Sequence, residues 1–104
     1  MALSVTAPAV TVELPSGDRL IAGRFEMGEV YLTDGLTMDL SSYLSGTPQV
    51  HISGDNATYS VTHDGGTAAA AVVKASVVAN GTEVANAFNL SALGGTYFAV
   101  GTAV

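Results

Sequence analysis

Apolar and polar residues alternate with a period of two along most of the chain, and turn residues interrupt the alternation at short intervals. This pattern is typical of antiparallel strands that bury one face. The predicted strands cover Val10–Leu14, Arg19–Met27, Glu29–Thr33, Leu36–Leu40, Pro48–Ser53, Ala57–His63, Ala68–Ala79, Thr82–Phe88 and Thr96–Thr102. This pattern predicts an all-β fold, a single small antiparallel β-sandwich or barrel of about eight strands.

The breaks in the alternation are rich in Gly, Asn, Asp and Pro, which favour tight turns. They predict turns at Pro15–Asp18, Asp34-Gly35, Gly54–Asn56, Asp64–Gly66 and Asn80-Gly81. Two further breaks are longer. Ser41–Thr47 is predicted as a loop, and Asn89–Leu93 as one short helical turn capped by Asn89.

The segment Ala68–Ala79 is ambiguous between helix and strand. Its alanines favour a helix, whereas its two Val pairs and the absence of a 3.6-residue stripe favour a strand. Because the segments on both sides of it are predicted strands, we predict a strand here too.

Alternation also indicates which side chains lie inside. In the last strand, Tyr97 and Ala99 fall on the face opposite Phe98 and Val100. Large apolar residues are the natural core anchors of a small domain. The predicted core includes Phe25, Val61, Val77, Phe88 and Phe98.

The length of 104 residues suits one domain, predicted over residues 18–104. Residues 1–17 are predicted as an extended segment. This segment is either an arm that docks on a partner or the first strand of the domain's own sheet, and the sequence favours neither.

Composition excludes several classes of function. The chain has no Cys, which excludes a disulfide scaffold and cysteine metal sites. Three Lys and Arg against nine Asp and Glu give a formal net charge of −6, which argues against nucleic-acid binding. No signal peptide or membrane span is predicted. Only 12% of the residues are charged, which suits a surface that neighbouring proteins cover.

Residues that could carry chemistry form no recognisable site. His51 and His63 match no metal-ligand spacing, and no serine lies in a nucleophile elbow. Carboxylate pairs flank two turns, Asp34 with Asp39 and Glu26 with Glu29. Such pairs are common on solvated turns, so we expect neither an enzyme nor a bound cofactor.

Several segments together resemble the small head decoration, or cement, proteins of tailed bacteriophages. They are Asp39–Leu44, Pro48–Ser53, Tyr59–Gly66, Asn89–Leu93 and Tyr97–Gly101. The resemblance covers roughly residues 19–102 and rests on turn and strand residues. It implies a non-enzymatic virion protein, made in the host cytoplasm, that binds the major capsid protein on the outer capsid surface, often as a homotrimer.

Contact residues can be proposed from the strand pattern. An extended segment over residues 2–14 offers backbone groups and alternating apolar side chains for strand addition. The candidates are Val5, Val10, Val12, Leu14 and, in the predicted loop, Tyr43. Two alternatives stay open: another virion part, such as a tail-tube, head-fibre or adhesin domain, and a carbohydrate-binding or immunoglobulin-like module.

Overall fold

The computed structural model describes residues 3–28, 30–91 and 93–104. Within these ranges there are eight strands and no helix, hence no helix that could cross a membrane. The strands are β1 (Ser4–Val5), β2 (Val10–Glu13), β3 (Asp18–Glu26), β4 (Leu36–Met38), β5 (Leu44–Gly54), β6 (Tyr59–His63), β7 (Ala71–Val77) and β8 (Gly94–Ala103). All pairings are antiparallel and the sheets curl into a half-barrel, which confirms the all-β prediction.

The first sheet has β8 at its centre, between β3 and β5. β3 and β8 pair over nine positions, from Asp18 opposite Thr102 to Glu26 opposite Gly94. The predicted loop over residues 41–47 is wrong from Leu44 onward, because β5 already pairs with the end of β8 there. Its register shifts before Gln49, next to Pro48, which has no N–H to donate to a regular ladder.

The predicted extended segment lies along the outer edge of β3. β1 pairs Val5 with Phe25, and β2 pairs Val10 with Ala22, so the register changes by two residues between them. Pro8 lies at this change and cannot donate a ladder bond. The first two residues of the segment lie outside the described residues.

The second sheet has the order β4-β7-β6. The strand prediction for the alanine-rich segment is confirmed over Ala71–Val77, while residues 68–70 form a turn. Ala71, Val73 and Ala75 are buried on one face of β7. The alanines therefore act as small core residues and not as helix formers.

Two predicted strands are absent from the described part of the chain. Over residues 82–88 only Glu83 forms a bridge, with Ser76. Residues 30–33 form no strand either, and Glu29 lies outside the described residues. In both segments the backbone makes loop contacts instead: Tyr31 N–H donates to the Phe88 carbonyl and Ala87 N–H to the Tyr31 carbonyl.

The predicted helical turn after Asn89 is a non-helical turn in the described residues. The Asn89 side-chain oxygen accepts the Ser91 N–H at 2.9 Å, and Leu93 N–H donates to the Leu90 carbonyl. Ala92 lies outside the described residues. Asn89 therefore stabilises a local turn in place of a helix N-terminus.

The core lies between the two sheets, and its composition corrects two predictions. Phe25 is fully buried as predicted, and Val61 and Val77 are half-buried against the core. Phe88 and Phe98 are 45% and 41% exposed, so their prediction as core residues is wrong. In β8 the inward face carries Tyr97 and Ala99, which turns Phe98 outward.

Candidate interaction surface

The outward face of the first sheet is apolar across its middle. Strand alternation puts Ile21, Tyr97 and Ala99 inside, so their neighbours in β3 and β8 point away from the core. The register aligns these outward residues with those of β2. We call the resulting set the outer patch: Val10, Val12, Leu20, Ala22, Phe98 and Val100.

The outer patch consists of two cross-strand rows. One row places Val10, Ala22 and Phe98 side by side, and β5 extends it with His51. The His51 and Phe98 ring centroids are 6.2 Å apart. Val10 and Val12 are 48% and 43% exposed. The solvent-exposed face of an antiparallel sheet normally carries polar residues, so these two rows form an unusually apolar surface.

Charged side chains frame the outer patch at the two ends of β3. Asp18 lies at one end, and Arg24, Glu26 and Asp55 lie at the other. Arg24 Nη2 is 2.7 Å from Asp55 Oδ2, and this bond, followed by that from the Gly94 N–H, lowers the pKa of Asp55. Three carboxylates against one guanidinium give the frame a net charge of −2.

The free edge of β2 adds a second feature to this side of the molecule. Leu14 N–H donates to the Asp18 carbonyl, which continues the β2–β3 ladder beyond Glu13. By antiparallel alternation, the main-chain groups of Thr11 and Glu13 point away from β3. The side chain of Glu13 folds back to Arg19 at 2.5 Å.

The predicted contact residues divide between this surface and the core. Val10 and Val12 belong to the outer patch, whereas Val5 and Tyr43 are half-buried and pack against the core. Leu14 is half-buried at the end of β2. Sequence reasoning missed Phe98, the largest exposed member of the patch, because it was predicted as a core residue.

The histidines lie on different sheets, His51 on the outward face of the first and His63 at the end of β6. His63 Nδ1 accepts the Gly65 N–H at 3.0 Å, so Nε2 carries the proton. Among the described residues this buried nitrogen has no hydrogen-bond partner. Burial lowers the pKa of His63, against an opposite effect of Asp64. Within residues 3–28, 30–91 and 93–104, no group of three His, Asp or Glu is placed to hold a metal ion.

The predicted carboxylate pairs serve local structure where they are described. Asp39 accepts bonds from the Ser41 hydroxyl and N–H, and these bonds lower its pKa. Asp34 lies 4.0 Å from Lys74 in a turn at positive φ. The partner proposed for Glu26, Glu29, lies outside the described residues.

A buried polar contact that sequence reasoning missed joins the loops to the second sheet. Tyr31 is fully buried, and its hydroxyl donates to Glu83 Oε2 at 2.5 Å and accepts the Ala75 N–H at 3.2 Å. Burial, and then the bond to Glu83, raises the pKa of Tyr31 to about 12. The same bond lowers the pKa of Glu83. This contact stabilises the fold, because it pairs the buried Ala75 N–H and the buried Tyr31 hydroxyl.

Comparison with protein-family models, with curated proteins and with solved structures found no match.

Proposed function

We propose that the protein is a non-enzymatic virion protein that binds the outer surface of an icosahedral phage capsid and stabilises it. In this proposal its partner is the major capsid protein, and it acts as a homotrimer. It is made in the host cytoplasm and resides on the outside of the capsid.

The outer patch is the observation that carries this proposal. The middle of β3 and β8 is apolar on both faces, and in the described part of the chain the second sheet covers one of them. Burial of an exposed apolar surface is favourable by about 25 cal/mol per Å². A face with Val10, Val12 and Phe98 exposed is therefore suited to being covered by another protein.

The sequence resemblance supports the choice of a capsid over other partners. A decoration protein needs many weak, repeated contacts and no reactive group. Linked copies that bind a lattice of identical sites convert a weak contact into stable attachment. The low share of charged residues, 12%, fits a surface used in this way.

The test mixes purified protein with empty shells of the major capsid protein encoded by the same genome. We expect saturable co-sedimentation with the shells and a higher shell melting temperature in the presence of the protein, because a ligand that binds only the assembled state stabilises it. The proposal would be contradicted if the shells pellet without bound protein even when the protein is added in large excess over the binding sites on the shells.

A glycan-binding module is the second candidate, and one observation favours it. Phe88 is exposed beside Tyr59, with ring centroids 6.3 Å apart and planes tilted by 57°. Exposed aromatic side chains offer large, rigid contact surfaces. Binding on a glycan array that is lost in Phe88→Ala and kept in Phe98→Ala would favour this function over capsid binding.

A further inference from the structure

We infer that the outer patch docks on a capsid-protein surface that is apolar at its centre and basic at its rim. This inference rests on the proposed function and names the surface of this chain that makes the contact. It also names the chemistry that the partner must present. Two properties of the patch lead to it: its size and its frame of charge.

The size of the patch argues for a weak contact that is repeated many times. The outer patch crosses three strands, about 4.8 Å apart, and the residues that frame it on β3, Asp18 and Arg24, are six residues apart at about 3.3 Å each. The patch therefore measures about 300 Å². A stable pairwise complex buries about 800 Å² on each partner. One copy is thus expected to bind its site weakly, and linked copies on a lattice to bind it firmly.

The charge frame argues against a second copy of this chain as the occupant. Asp18 at one end, and Glu26 and Asp55 with Arg24 at the other, leave the frame at −2. Two such faces would bring acidic rims together, on chains that each carry a formal charge of −6. Complementary potentials across an interface favour association and like charges oppose it. A basic rim on the partner satisfies this requirement.

The first experiment compares two serine variants at exposed phenylalanines in the shell co-sedimentation assay. Phe98→Ser removes the aromatic group of the patch, and Phe88→Ser is the matched control, because Phe88 is similarly exposed outside the patch. We expect Phe98→Ser to weaken binding by at least about tenfold, since burying the exposed part of the ring contributes to affinity. Phe88→Ser should bind like the parent. Thermal melts establish that both variants are folded.

The second experiment tests the basic rim. Asp18→Asn removes one charge of the frame, and Asp34→Asn removes one charge from the second-sheet side of the molecule. We expect Asp18→Asn to weaken binding by about two- to fivefold at low salt and Asp34→Asn to have no effect. The difference between the two variants should disappear at high salt.

The outcomes separate this inference from the function on which it rests. If the parent protein never binds shells, both fail. If the parent binds and the two serine variants bind equally well, the docking surface is wrong and the function stands. If Asp18→Asn binds as tightly as Asp34→Asn, the basic rim is wrong. If light scattering shows that Phe98→Ser breaks up the free oligomer, the patch is covered by a second copy and the inference is overturned.

Discussion

The buried hydroxyl of Tyr31 should contribute measurably to stability, and Tyr31→Phe tests this. The substitution removes one oxygen and keeps the ring in the core. In the fold this oxygen accepts the Ala75 N–H and donates to Glu83. Ala75 lies in β7 between the residues paired with β4 and the bridge at Ser76. The hydroxyl therefore takes the place of a strand partner on the β4 side of Ala75, whose other neighbour is Val61 of β6.

The magnitude follows from the groups left without partners. Ala75 is fully buried, so its N–H has no access to water once the hydroxyl is removed. A buried donor left unsatisfied costs about 1–3 kcal/mol, and the lost hydroxyl bond adds about 1 kcal/mol. We expect the free energy of unfolding to fall by about 2–4 kcal/mol, a large part of the roughly 5–15 kcal/mol that a domain has.

Urea denaturation followed by circular dichroism measures this difference, with Tyr59→Phe as the control at a half-buried tyrosine. The pH dependence gives a second measurement. The Tyr31 bond lowers the pKa of Glu83 below 4.5 in the fold, so its contribution is present above that pH and is lost as pH falls through the lowered pKa. The difference between parent and Tyr31→Phe should therefore narrow in acid.

A Tyr31→Phe protein as stable as the parent would refute this reasoning. A double-mutant cycle with Glu83→Ala locates the cause, because alanine removes the acceptor of the Tyr31 hydroxyl. If the two substitutions are additive, the hydroxyl acts through Ala75 alone and the assigned bond to Glu83 is wrong.

Three further predictions follow from the burial of single residues. Phe25→Ala should lower the free energy of unfolding by about 3–5 kcal/mol in urea melts, and Phe98→Ala by less than about 1 kcal/mol; equal effects would contradict the assigned faces. Gly95→Ala should abolish folding, measured by circular dichroism, because its Cβ would overlap the Ser53 carbonyl oxygen of β5. The register partner of Gly95, Gly54, has room for a Cβ. The pKa of His63 is lowered from 6.5, so the contribution of neutral His63 to stability is full above pH 6.5 and is lost as pH falls through the lowered pKa. His63→Asn should therefore flatten the fall in melting temperature between about pH 7 and 5. The same slope in parent and variant would contradict this role of His63.

Local alternation was enough to predict most strands and the two faces of each. It placed Tyr97 and Ala99 opposite Phe98 in β8, as the structure has them. It did not decide which face of β8 lies inward, since both are apolar. The inward face is the one against which the Phe25 ring packs, next to Gly95, and this contact joins strands that are about 70 residues apart.

The outer patch could be predicted only in part, for a related reason. The exposed valines of β2 were identified from the sequence pattern. The row that contains Val10 is completed by Phe98, more than 80 residues further along the chain. Residues 82–88 have strand-like composition and yet form loop contacts with Tyr31, a choice set by tertiary packing. Neither the pairing of Val10 with Phe98 in one row nor the packing of residues 82–88 against Tyr31 can be predicted from neighbouring residues in the sequence.

The pairing of β3 with β8 has a consequence for how the chain folds. Partners in this ladder are separated by 68 residues, from Glu26 to Gly94, up to 84 residues, from Asp18 to Thr102. Contacts between such distant positions require a large loop to close before they stabilise anything, and they slow folding to milliseconds or seconds. During synthesis β3 cannot pair with β8 until β8 has left the ribosome, and until then the apolar residues of β3 stay uncovered. Chaperone dependence and inclusion-body formation should therefore depend on the speed of translation of the last third of the chain.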